Sequence, residues 1–330
     1  MEREARHYSA ESGSAVRCHL CPHECRIAAG AAGTCGVRIN RDGKLFSAIY
    51  GEVTSVAMDP IEKKPLYHFH PGSQILSIGT KGCNFRCAFC QNWSISQDLN
   101  ARTAAYRPED IVQAARTNNS IGIAYTYSEP IIWFEYVLEC ARLAREAGLK
   151  NVMVTNGFVN PAPRAELLEL IDAMNIDLKT FNDDTYRRIP HGRLQPVLDT
   201  IVAAHAAAHV EITTLVVTGM NDTMEEMRAI IDWIAALDPG IPWHISRYHP
   251  SYKYDAPATD VDFMLRVHEA ARKKLHHVYC GNIANGRGTS DTHCPSCGAV
   301  LVARSGYATR ITGISNGACV KCGRASGIVQ

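Results

Sequence analysis

The sequence lacks any long apolar run: no window of its 330 residues approaches the roughly 18 consecutive apolar residues a membrane-spanning helix needs. It also lacks charge bias. The formal net charge is +1 and no long basic or acidic stretch occurs, so a nucleic-acid or anionic-membrane partner is not indicated. The opening stretch, MEREARHYSAESGS, has no apolar core of the kind a signal peptide carries. Internal repeats and low-complexity tracts are absent. The expectation is a cytoplasmic protein, in a compartment where disulfides are disfavoured. Hydrophobic residues at 46% and charged residues at 20% suit a folded chain, long enough for one barrel-sized domain and one or two small modules.

Cysteine is the residue in excess. Thirteen are present, and eleven fall in three sets: Cys18, Cys21, Cys25 and Cys35; Cys83, Cys87 and Cys90; and Cys294, Cys297, Cys319 and Cys322. Short internal spacings in a reducing compartment point to metal rather than disulfide bridges. Cys140, inside a helical pattern, reads as core packing. Cys280, before Gly281-Asn282, has no assigned role.

Six short β-rich runs alternate with helical patterns: Gln74–Ile78, Gly122–Tyr125, Asn151–Thr155, Met174–Leu178, Val210–Val217 and Trp243–Arg247. Among the helices, Pro108–Arg116 opens on proline, Pro130–Ala147 stops at Gly148, and Met224–Leu237 follows the Asn221-Asp222-Thr223 capping cluster. Repeated β-then-α units favour a parallel sheet with right-handed crossovers. Six strands fall two short of an eightfold barrel, so the α/β fold expected is a partial (β/α)6 barrel over residues 46–285. An N-terminal Cys-rich segment (1–45) and a Cys- and Gly-rich module (286–330) flank it.

Cys83-x3-Cys87-x2-Cys90 follows the first strand directly, where barrel active sites lie. Three thiolates can ligate three irons of a four-iron cluster, which leaves the fourth iron open to a substrate group. Gly79 and Gly82 allow close wrapping, and Phe89 can shield one side. The alternative is zinc, which wants a fourth protein ligand such as His68 or His70. Later strand exits carry Glu129, Thr155-Asn156-Gly157 and Asp177-Leu178-Lys179, which such a fold makes converge. Glu129 could receive a ligand ammonium, or start a helix at Pro130.

At the chain's end, Cys294-x2-Cys297-x21-Cys319-x2-Cys322, with Gly298 and Gly323, offers two knuckles that complete one tetrahedron. Zinc is expected there, with rubredoxin-type iron as the alternative. Cys18-x2-Cys21-x3-Cys25-x9-Cys35 offers four further thiolates, for zinc or an iron–sulfur cluster.

The CxxxCxxC loop with an aromatic before its last cysteine resembles the signature of the radical S-adenosylmethionine (SAM) superfamily. Within it the chain resembles the pyruvate formate-lyase activating enzyme group and, more narrowly, the AmmeMemoRadiSam system proteins. The matching stretches are CHLCPHECRIAAGAAGTCGVRIN, EKKPLYHFHPGSQILSIGTKGCNFRCAFCQNW, AYTYSEPIIWFEY, VTNGF, NIDLK, EITTLVVTGMND and HISRYHP. The resemblance implies a [4Fe–4S] cluster on Cys83, Cys87 and Cys90 that binds SAM and reductively cleaves it to a 5′-deoxyadenosyl radical. Hydrogen abstraction from an unidentified substrate then follows. Glu129 matches the acid of a Gly-Gly-Glu motif, with Tyr127 and Ser128 standing for the glycines. Asp177 and Lys179 are implied at the SAM region, Thr155 and Asn156 at its methionine or ribose end, and His249 near the adenine. Thr213 stands where those activating enzymes carry an arginine, and His244 reads as structural. The implied partners are a low-potential donor (flavodoxin or ferredoxin) and Memo-like and AMME-type proteins.

Two alternatives accompany this reading. One is a glycyl-radical enzyme activase; those with extra clusters usually place the extra cysteines just after the loop, and residues 91–139 have none. The other is a metal-bearing protein- or nucleic-acid-interaction module, which Arg304, Arg310, Lys321 and Arg324 support only weakly.

Overall fold

The structure is a computed structural model, and it describes residues 2–283 and 288–330. Eight strands form the main sheet: β1 (Ser55–Pro60), β2 (Gln74–Gly79), β3 (Gly122–Tyr125), β4 (Lys150–Thr155), β5 (Ala173–Asp177), β6 (His209–Val216), β7 (Trp243–Arg247) and β8 (Val278–Gly281). They lie in strictly sequential order, with β2 to β8 parallel and β1 antiparallel on the β2 edge. Helices follow each of β2 to β7, among them Pro108–Thr117, Phe134–Glu146, Pro161–Leu168, Leu194–His205, Met224–Leu237 and Val261–Ala271. The six β/α units expected are therefore present. The sheet differs in having a seventh parallel strand, β8, and an antiparallel edge strand, β1. Neither has a plain sequence signal: β8 is four residues long, and β1 shows no clean in–out alternation.

Period-2 side-chain alternation sorts the strands' two faces. Leu76, Ile78, Ile123, Tyr125, Met153, Met174 and Ile176 join the large core, together with Ala141, Ile201, Ile230 and Val267 of the helices. Ile75, Ala124, Val152 and Ala173 face the other way, onto Ile61, Leu66 and Phe69. The segment after β1 thus plugs one end of that face. Gly122 is demanded by strand pairing, since a Cβ there would lie 2.0 Å from the Lys150 carbonyl oxygen. Helix starts are capped: Thr223, in the cluster the sequence suggests, accepts from the Glu226 N–H, and Asp260, which the sequence reading did not single out, accepts from Asp262 and Phe263. The expected helix over 130–147 is split, with a 3-10 turn at Pro130–Trp133 leading into Phe134–Glu146.

The N-terminal segment folds as two small antiparallel sheets, Tyr8–Ala10/Val16–Cys18/Arg26–Ile27 and Arg3–Glu4/Lys44–Ser47/Arg38–Arg41. Its Val16, Leu20, Ile27, Val37 and Leu45 belong to the same core cluster as the main sheet. The C-terminal residues form a three-stranded sheet (Thr292–His293, Val300–Ser305, Ala308–Ile311) over a small core of their own. They dock through a Phe69–Val329 bridge and through Arg304, whose guanidinium lies 4.2 Å from the Tyr67 ring centroid. The 285/286 boundary expected from sequence falls outside the described residues.

Candidate active site

The strand exits β2 to β7 open into one cavity of about 510 Å³. Its walls include Cys83, Cys87 and Cys90 from the loop after β2, Glu129 after β3, Thr155 and Asn156 at the end of β4, and Asp177 and Lys179 at the end of β5. Eight side chains that the sequence singled out thus meet at one place. The convergence follows from the fold: aligned parallel strands deliver their C-terminal residues to one rim.

Glu129 is buried and closes the first hydrogen-bond ring of the site. Its Oε1 accepts from the Ile131 N–H (3.0 Å) and the Thr155 hydroxyl (2.7 Å), and its Oε2 accepts from the Asn156 N–H (2.8 Å). It caps the 3-10 turn and faces the cavity at once. Burial raises its pKa to about 7 against these three hydrogen bonds, with Asp177 pushing the same way. A cation entering the cavity would restore its charge.

Asn156 ties this ring to the cysteine loop. Its Nδ2 donates to Asn84 Oδ1 (2.8 Å) and lies 3.9 Å from Cys83 Sγ, while Asn84 donates to the Phe158 carbonyl (3.0 Å). Cys83 Sγ also accepts from the Phe85 N–H at 3.3 Å, and Cys90 Sγ lies 3.1 Å from Ser96 Oγ. Burial raises the pKa of Cys83 well above the usual thiol range and that of Cys87 to about 11. Such thiols stay protonated until a metal ion displaces the proton. Three sulfurs on one wall, fed by N–H donors, suit the donor set of an iron–sulfur cluster. Across the cavity, Lys179 Nζ donates to Asp177 Oδ2 at 2.9 Å. Burial opposes the Lys179 charge, but Asp177 and then Cys87 hold its pKa above the usual value.

Tyr127 departs from its sequence context in an instructive way. It keeps the left-handed backbone of a glycine, with φ 70°. Its hydroxyl donates to Asp59 Oδ2 (2.5 Å), and Lys64 Nζ lies 4.5 Å from its ring centroid. Asp59 also receives Lys64 Nζ (2.7 Å) and Lys63 Nζ (2.8 Å). Burial works against the Asp59 charge, yet these hydrogen bonds hold its pKa well below the usual carboxylate range. Asp59, Lys63 and Lys64 escaped the sequence reading. Lys63 and Lys64 line the cavity, and their one signal was the EKKP stretch just before β2.

Thr213 lines the cavity with an unpartnered hydroxyl. His249 is exposed and outside the lining; Ser246 is what its strand presents there. His244 instead bonds the buried Glu211 (2.6 Å), which also holds His209 (3.0 Å) and the His68 N–H (2.7 Å). Beside the site, a second cavity of about 980 Å³ shares Lys63, Pro65, Gln91, Thr213 and Ser246 with the first and is walled by Arg304 and Tyr307. Cys280 lines it, and Cys140 is fully buried in the core.

Residues 77–234 match the model of the radical SAM superfamily. An uncharacterized protein of Methanocaldococcus jannaschii is 40% identical over 336 residues, covering 99% of each chain. The chain belongs to the radical SAM superfamily. It is therefore an enzyme, and the superfamily implies a [4Fe–4S] cluster and SAM. The pyruvate formate-lyase-activating enzyme of Clostridium pasteurianum is 22% identical over 211 residues, 59% of this chain and 85% of that one. A crystal structure of Streptococcus suis SuiB bound to S-adenosylmethionine aligns with a TM-score of 0.49 and 13% identity, over 66% of this chain and 50% of that one.

The C-terminal cysteines form a separate cluster. The sulfurs of Cys294, Cys297, Cys319 and Cys322 all lie within 4.8 Å of one another, with Cys294–Cys322 at 3.5 Å and Cys297–Cys319 at 3.7 Å. No described helix is long and apolar enough to cross a membrane.

Proposed function

We propose that Cys83, Cys87 and Cys90 hold the [4Fe–4S] cluster, and that the cavity beside them binds SAM for hydrogen abstraction from a substrate still to be identified. The observation that carries this reading is the single cavity that gathers the three sulfurs with Glu129, Thr155, Asn156, Asp177 and Lys179. Held by these three sulfurs, a [4Fe–4S] cluster would supply the one-electron reducing chemistry that splits SAM into methionine and a 5′-deoxyadenosyl radical. The chain's own groups do the rest. Glu129 receives the SAM ammonium, Thr155 and Asn156 orient that carboxylate, and Asn156 ties it to the loop. Asp177, fixed by Lys179, lines the SAM region, and Ser246 rather than the exposed His249 is what β7 presents to it.

The partial-barrel reading rests on the sequential strand order, and the division near residue 285 on the separate C-terminal core. The division near residue 45 is drawn from the cysteine spacing alone, since strand Lys44–Ser47 crosses it and the N-terminal residues share the main core. The Cys294/Cys297/Cys319/Cys322 set suits zinc in a ribbon: four sulfurs about 2.3 Å from one ion stand about 3.8 Å apart, close to the paired separations here. The motif resemblance supports an AmmeMemoRadiSam-type role with Memo-like and AMME-type partners, an electron donor such as flavodoxin or ferredoxin, and a cytoplasmic location. A second reading, glycyl-radical activase, is favoured by the likeness to a pyruvate formate-lyase-activating enzyme. A glycyl-radical signal in a co-expressed partner would decide for it.

The deciding experiment replaces Cys83, Cys87 and Cys90 together by Ala in anaerobically prepared protein. SAM cleavage with dithionite as reductant should vanish. Full cleavage in that variant would overturn the assignment.

A further inference from the structure

We infer that Cys18, Cys21, Cys25 and Cys35 hold a second [4Fe–4S] cluster, packed directly behind the CxxxCxxC loop. All four cysteines line one small apolar cavity, together with Arg38 and Ile132. Among the described residues, the C-terminal set is the one group of three or more ligand side chains drawn within 4.8 Å. The N-terminal sulfurs, like those of Cys83, Cys87 and Cys90, do not close to that single-ion shell. Thiolates on separate irons of a cubane stand farther apart than four thiolates on one ion. All three cysteine sets share a donor pattern typical of metal-holding turns, the N–H two residues on reaching the sulfur, as Ser296, Lys321 and Arg324 do for Cys294, Cys319 and Cys322. The wider spacing is therefore what sets the N-terminal and central sets apart. Phe85, two residues after Cys83, donates its N–H to that sulfur; Leu20, His23 and Val37 stand in the same relation to Cys18, Cys21 and Cys35. Cys25 receives the Thr34 N–H at 3.4 Å.

Arg38 supplies an independent pointer. It is 1% exposed, lines the cavity, and its Nε has no hydrogen-bond partner. Its Nη1 pairs with Glu135 at 3.0 Å, which leaves Nε for an acceptor within the cavity. A four-thiolate cluster is anionic and rich in sulfur acceptors, and hydrogen bonds to those sulfurs set its potential.

One layer of backbone separates the two sites. A Cβ on Gly82, next to Cys83, would lie 3.0 Å from the Cys35 carbonyl oxygen and 3.1 Å from Ile132. Arg86 donates to the Cys83 carbonyl (3.1 Å) and to the Thr34 carbonyl, and His23 Nε2 lies 2.7 Å from the Asn84 carbonyl. The second cluster would take up one electron from a low-potential one-electron donor and give it back unchanged, with no bond or proton altered.

Anaerobic reconstitution of the full chain with ferrous iron and sulfide tests this. Wild type should hold about eight irons and eight sulfides, and the Cys83/Cys87/Cys90→Ala variant about four of each. That variant should take up one electron from dithionite and show a reduced [4Fe–4S] resonance. Adding Cys18→Ser and Cys25→Ser to it should remove the remaining iron. Zinc in place of iron in the triple variant, no bound metal there, or iron that survives the added changes would overturn the inference. SAM cleavage that survives the triple variant would instead overturn the assignment of the first cluster.

Discussion

Glu129 offers the sharpest test of the SAM pocket, because its hydrogen bonds separate anchoring from scaffolding. A carboxylate has about four acceptor positions. Ile131, Thr155 and Asn156 take three, which leaves one on Oε2 for a ligand ammonium. Glu129→Gln keeps the shape and removes the charge. Its amide oxygen can still accept from Ile131 and Thr155, but its NH2 then opposes the Asn156 N–H. Loss of that acceptor should cost about 1–3 kcal/mol of stability. Loss of the charge-assisted ligand contact should cost about 1.5–3 kcal/mol of SAM affinity, a weakening of about 10- to 150-fold.

The assay is equilibrium SAM binding to cluster-loaded protein, with iron content measured on the same sample. Wild-type affinity should fall as the pH drops through about 7, where the buried carboxyl gains its proton. The Gln variant should lack that dependence. The stability effect runs the opposite way on the pH axis. Because burial raises the pKa, the stability linked to protonated Glu129 is full below its ordinary value near 4.5 and is lost as pH rises through about 7. Unchanged affinity together with lost iron would show that Glu129 serves the fold alone.

Three further outcomes follow from the geometry. Glu211→Ala leaves two histidines and a backbone N–H without their buried partner, and should destabilise by about 3–5 kcal/mol in urea unfolding. Burial opposes the Glu211 charge, but His209 and His244 hold its pKa well below the usual range. Its contribution is thus present above about pH 4.5 and lost as pH falls toward that lowered value, a slope the variant should not show. Tyr127→Gly should be more stable than Tyr127→Ala by about 1 kcal/mol, because alanine keeps the positive-φ cost; equal stabilities would mean the backbone relaxes. Chelation or Cys319→Ser should release about one zinc per chain, read by metal analysis, and iron released in its place would refute zinc.

The strand exits were legible because parallel β/α units make position along the chain equivalent to position in space. Thr155 and Asp177 lie at the ends of short apolar runs, and Glu129 follows one by four residues, so counting runs together with the motif resemblance at Glu129 brought them together. Asp59, Lys63 and Lys64 were not legible. They sit around an antiparallel edge strand with irregular burial, and lysines next to a proline read as solvated surface. Only the fold shows that Lys64 is 1% exposed and paired with Asp59. His249 reads like a strand-exit residue too. The strand ends at Arg247, and two residues later the chain has already turned outward. The N-terminal segment looked like an appendage because its cysteines are distant in sequence from the loop. In space its Val37 and Cys35 press on Gly82.

The C-terminal module joins metal binding to the shape of the second cavity. Its core is only Cys294, Leu301, Val302, Cys319 and Ile328, too small to fold firmly without help. A metal held by the four cysteines would therefore supply much of its folding free energy. Yet the same module places Arg304 against Tyr67 and the Ser290 carbonyl, and walls the cavity with Tyr307. An ion that touches neither cavity would thus govern the volume beside the SAM pocket, because the side chains that bound it are held only while the module is folded. With a metal on those four thiolates, the module would act as a rim of the second cavity rather than as a detachable tail.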